Sequence, residues 1–76
     1  MAKGYSTLTV REVEEANPNL LGVQLGRICV KRDIPVKDVA EYFGVSRVTV
    51  YSWFRGTAVV SGKHADKMYK LIAKLG

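Results

Sequence analysis

Arg47, Val48, Tyr51, Ser52 and Arg55 carry the richest interaction chemistry in this 76-residue chain. Val48, Tyr51, Ser52 and Arg55 recur at i, i+3, i+4 and i+7, so a helix here holds them on one face, with Arg47 exposed on its first turn. Guanidinium, hydroxyl and aliphatic groups form hydrogen bonds and contacts; this set breaks no covalent bond. Elsewhere His64 has no carboxylate or serine placed to complete a catalytic set, and no carboxylate pair, nucleophile–base pair or phosphate loop can be assembled. An enzyme is therefore not expected. Cys29 is the single cysteine, which excludes an internal disulfide, and no Cys/His spacing matches a zinc site, so no metal or cofactor is expected and a reducing cytoplasm fits. The opening Met1-Ala2-Lys3-Gly4-Tyr5 leads into no apolar run, and no apolar stretch approaches the length of a membrane span. Neither secretion nor membrane insertion is expected.

Charge gives these residues a context. Twelve Lys and Arg against seven Asp and Glu leave a formal charge of +5, unevenly spread: residues 1–16 sum to −1 and residues 17–76 to +6. A polyanion is the expected partner, nucleic acid first. A composition of 47% hydrophobic and 25% charged residues is that of a folded domain, and the chain has room for one small unit only, without repeats or a linker.

The elements that must position the face are helical. Thr9-Val10-Arg11-Glu12 fits a capping box and predicts a short helix over 10–16, although the alternation in Thr7-Leu8-Thr9-Val10 also allows a strand. Asn17-Pro18 predicts a helix from 18 to 31, with Leu21, Leu25, Ile28 and Cys29 on one face and Leu20, Val23 and Val30 widening it. Such a helix is buried on more than one side, against Leu8, Val10 and Val13 or, alternatively, in a dimer contact. Pro35 opens a second helix that turns Val36, Val39, Ala40 and Phe43 inward and stops at Gly44. Ser46 caps a third helix over 46–55, ended by Arg55-Gly56; after a loop, a last helix over 62–75 places Ala65, Met68, Tyr69, Ile72 and Leu75 inward, with Leu71 at the margin. Trp53, Phe43 and Phe54 read as core rather than as a stacking platform, Cys29 as core, His64 as surface, and Lys63, Lys67, Lys70 and Lys74 as a solvated stripe. The class is all-α, a small bundle of four to five helices.

Two short helices joined by three residues beginning with Gly44 have helix-turn-helix spacing, since Gly supplies the positive φ of a sharp corner. Ala40 is small where the helices cross, Val45 fills the turn, and Val50 and Trp53 bury the inner face of the third helix. Through Val39-Ala40-Glu41-Tyr42-Phe43-Gly44-Val45-Ser46-Arg47-Val48-Thr49-Val50-Tyr51-Ser52-Trp53-Phe54-Arg55-Gly56 the chain resembles the phage Cro and repressor family of helix-turn-helix proteins. The resemblance extends from Leu20 to Leu75. It implies a lambda-repressor-like DNA-binding domain over 17–76, preceded by a segment, 1–16, that the family pattern does not explain.

In that family the recognition helix enters the major groove. The resemblance therefore implies base-reading positions for Arg47, Val48 and Ser52, flanked by Thr49 and Tyr51. Arg47 suits the O6 and N7 of guanine, Val48 a thymine methyl, and Ser52 several bases or a phosphate. Tyr51 is expected to offer its hydroxyl to a phosphate; Arg55 and Lys37 are the expected backbone clamps, and Ser46 and Thr57 neutral phosphate contacts. Where the family often has a Gln near the start of the second helix, Val36 and Lys37 stand here, which leaves Lys37 as an electrostatic substitute for the usual supporting contact.

The function expected is that of a sequence-specific regulator of transcription, by resemblance a phage or mobile-element repressor in a bacterial host's cytoplasm or nucleoid. It would act by occupying double-stranded DNA. One helix of this size reads few base pairs, so a homodimer on a pseudo-palindrome is expected, with Val59, Val60 or the apolar edge of the first major helix as candidate surfaces. Two other readings stay open: a protein-interaction module, such as a viral inhibitor of a host protein, and an excisionase-like recombination accessory factor.

Overall fold

Backbone chemistry at the helix ends sets the architecture. The computed structural model describes residues 7–76, with side chains from residue 10, as five helices: α1 (Thr7–Glu15), α2 (Leu21–Arg32), α3 (Val36–Phe43), α4 (Arg47–Arg55) and α5 (Gly62–Leu75). No strand occurs among the described residues, so the fold is an all-α bundle. Three successive helices stop the same way, on a residue in the left-handed region: Asp33 (φ 57°) after α2, Gly44 (φ 69°) after α3 and Gly56 (φ 77°) after α4. At each stop the next residue's N–H reaches back five positions, from Ile34 to Cys29 O at 2.8 Å, from Val45 to Ala40 O at 3.0 Å and from Thr57 to Ser52 O at 3.0 Å. These are Schellman closures, which satisfy the otherwise orphaned last carbonyls.

Two expected starts are corrected. Asn17 does not cap α2: its Oδ1 accepts from the Asn19 N–H at 3.0 Å and its carbonyl from the Leu20 N–H at 3.2 Å, closing a separate turn. An Asn side chain that bonds its own backbone two residues on favours a turn over a helix. The helix begins only after Leu20, whose carbonyl accepts from the Gln24 N–H at 3.0 Å. Likewise α1 begins at Thr7, so Thr9 lies inside the helix and does not cap it, and the stretch is not a strand. The contact expected of Leu8 falls outside the described side chains.

Burial then closes the bundle. Val13, Val23, Leu25, Cys29, Val50, Phe54 and Met68 are fully buried, so Phe54 belongs to the core with Trp53 and Phe43. Tyr69, expected inside, is instead 64% exposed on the flank of α5, because Met68 alone takes the inward direction at that turn. The tightest meeting is α2 on α4. A Cβ on Gly22 would lie 2.7 Å from the Trp53 carbonyl oxygen, and one on Gly26 2.8 Å from Phe54 Cγ. Two glycines one turn apart thus let α4 seat its two largest core side chains directly against the α2 backbone. The radius of gyration is 11.0 Å, close to the ~11 Å expected of a folded chain this long.

Candidate nucleic-acid interface

The face of α4 is built from its first turn. Ser46 takes extended backbone and its Oγ accepts from the Thr49 N–H at 3.2 Å, which satisfies an orphan donor and starts the helix at Arg47. The Ser46 and Thr49 hydroxyl oxygens lie 3.0 Å apart, so one of their two hydrogens bridges the pair and the other is left to donate outward. Gly44, Val45 and Ser46 alone join α3 to α4, and the aromatic pair Phe43–Trp53, edge to face at 5.4 Å, locks the two helices together.

Val50, Trp53 and Phe54 point into the core at 0%, 3% and 0% exposure, whereas Val48 is 74% exposed. Arg47 is exposed, and its guanidinium makes no hydrogen bond or ion pair among the described residues. Thr49, Tyr51 and Ser52 are half-buried beside it, and Tyr51 leans on the core. Lys37 is exposed near the start of α3.

Two hydrogen bonds and one ion pair narrow what these groups can do. The Ser52 hydroxyl donates to the Val48 carbonyl at 3.1 Å, so toward an outside ligand its oxygen is left as an acceptor. Thr57 Oγ1 donates to the Ser52 carbonyl at 3.2 Å, so a phosphate contact from this hydroxyl would exchange that bond. Arg55 does not stand alone: its Nε lies 3.5 Å from Glu12 Oε1 on α1, and its guanidinium sits 5.4 Å from the Tyr51 ring centroid. The clamp expected at Arg55 is shared with an acid.

Two neighbours differ from expectation for tertiary reasons. Lys67 stays exposed with the rest of the lysine stripe but gains a partner there: its Nζ donates to the Tyr42 carbonyl at 2.6 Å and lies 4.3 Å from the Tyr42 ring centroid, placing a cation at the negative end of α3. His64, expected on the surface, is half-buried, its ring 5.5 Å from Trp53 and 5.9 Å from Phe43. Cys29 is buried at 0% exposure, and burial pushes its thiol up to about 12, so it remains a protonated apolar group.

Among the described residues no cluster of His, Cys, Asp or Glu is placed to hold a metal ion, and no helix is long and apolar enough to cross a membrane. Sequence reading did not foresee the part played by Glu12, Gly22 or Gly26. The acidic tilt of residues 11–15 was the available signal for Glu12; the spacing of Gly22 and Gly26 was the signal for the close approach. Comparison with protein-family models, with curated proteins and with solved structures returns no match.

Proposed function

We propose that this protein binds double-stranded DNA in a sequence-dependent manner, with α3 and α4 as a helix-turn-helix and α4 in the major groove, and regulates transcription by occupying its site. The observation that carries the reading is the division of α4: one side is consumed by the core, while its N-terminal turn presents Arg47, without a partner among the described residues, and a 74% exposed Val48. Nothing in the packing among the described residues calls for that outward pair. A guanidinium next to an aliphatic group suits a guanine edge beside a thymine methyl, the first by paired hydrogen bonds to O6 and N7 and the second by apolar contact. The +6 charge of residues 17–76 supplies the sequence-independent attraction.

Arg47 and Lys37 then have separable roles. Arg47→Ala relaxes preference at one base position at a cost of about 1–3 kcal/mol, whereas Lys37→Ala weakens all sequences alike and lowers the salt slope by about 1. Affinities for duplexes varied one base pair at a time, at several salt concentrations, read both effects. Unaltered base preference in Arg47→Ala rejects the assignment of α4 as the reading helix.

A further inference from the structure

α1 is the acidic part of a basic molecule. Its sequence, Thr7-Leu8-Thr9-Val10-Arg11-Glu12-Val13-Glu14-Glu15, holds three carboxylates and one guanidinium, and it is anchored firmly: Val13 is fully buried, and Arg27 Nη2 on α2 donates to the Glu14 carbonyl at 2.6 Å. That anchorage fixes the direction of the preceding residue. Glu12 lies against α4 with its Oε1 3.5 Å from Arg55 Nε, the two side chains 40% and 39% exposed. A negative charge is thereby held beside the C-terminal end of the helix proposed to meet DNA.

We propose that Glu12 is a built-in counter-charge that competes with DNA phosphates for Arg55 and so lowers affinity for duplex DNA of every sequence. The inference rests on the DNA-binding reading above. The pair has the strength for competition and not for permanent capture. At 3.5 Å between Nε and Oε1 it is longer than a charge-assisted hydrogen bond of about 2.7–2.9 Å, and it is open to water. A phosphate can take the guanidinium, but only by displacing a partner already there. Two consequences follow from the physics of polyelectrolytes. In the wild type a phosphate reaches Arg55 only by displacing Glu12, so that contact and its release of DNA counterions are incomplete; removing Glu12 steepens the salt slope by at most about 0.9, the share of one full phosphate contact. Phosphates carry no sequence information, so the gain is the same for every duplex.

The test is Glu12→Gln, which keeps the shape of the side chain and removes its charge, measured on two duplexes of unrelated sequence over a range of salt. Both duplexes are expected to bind about two- to fivefold tighter near physiological salt, the size of one surface charge pair. The gain disappears when Glu12→Gln is made in an Arg55→Gln background, which shows that it runs through Arg55. Unchanged or weaker binding by Glu12→Gln, while the wild-type protein binds, overturns the counter-charge and leaves the role of α4 standing. Failure of the wild-type protein to bind either duplex rejects the DNA-binding reading and this inference with it. Hydrogen exchange at Arg55 Nε–H, followed by NMR without DNA, is expected to be slower in wild type than in Glu12→Gln; equal rates overturn the pairing directly.

Discussion

Asp33 ends α2 in the left-handed region. It is the one non-glycine with positive φ among the described residues, at φ 57° and ψ 42°, and its buried Oδ1 has no hydrogen-bond partner. It also places a negative charge at the C-terminal end of α2, where the helix dipole disfavours it. Asp33→Gly removes all three penalties against the greater backbone freedom of Gly in the unfolded chain. The expected outcome is a gain of about 0.5–1 kcal/mol, seen as a rise of about 2–8 °C in the unfolding midpoint; a fall contradicts this account of the α2 stop. Cys29 gives a second expectation. Its thiol titrates near 9.0 in the unfolded chain and near 12 when buried. Between those values the unfolded chain gives up a proton that the native state keeps, so this group leaves stability intact below pH 9 and erodes it as pH rises toward 12. The slope reaches about 1.4 kcal/mol per pH unit, and Cys29→Ala should show a shallower decline in urea titrations over the same window. At this scale residue types were legible and their partners were not. Arg55 can be recognised as a basic residue on an exposed face from its own stretch of sequence, but Glu12 is 43 positions earlier, and only the packing of α1 against α4 joins them.

Elements were legible wherever a local signal had a single meaning. Ser46, Gly44 and Gly56 bracket α4 and the turn before it as the sequence predicts, because a cap hydroxyl and a left-handed stop each serve one purpose there. Asn17-Pro18 carries two meanings, a helix cap and an Asn turn, and the backbone takes the second. The glycines of α2 were opaque for a related reason: in a helix, Gly reads as a loss of about 1 kcal/mol, and its merit lies in the neighbour it admits. Gly22→Ala drives a Cβ to 2.7 Å from a backbone oxygen that has no rotamer to escape into. A loss of about 1–3 kcal/mol in urea unfolding is expected. Gly62→Ala, whose Cβ would meet nothing within 4 Å, is the matched control and should be near neutral. Equal effects of the two substitutions would contradict a close α2–α4 contact.

At the scale of the whole molecule, the division of charge matters more than its sum. The bundle sets acidic α1 against α2 and α4, with Glu12 Oε1 3.5 Å from Arg55 Nε. The surface also retains large apolar groups, with Val59 84% and Tyr69 64% exposed. A unit this small reads few base pairs, so the DNA-binding account requires two copies on one site. The most direct test is selection of bound sequences from a pool of random duplex DNA, followed by affinity measurements over a range of salt. The account expects a pseudo-palindromic motif with half-sites about 10 base pairs apart, or a multiple of that, and an affinity that falls steeply with salt. An unenriched pool together with a flat salt dependence would contradict it.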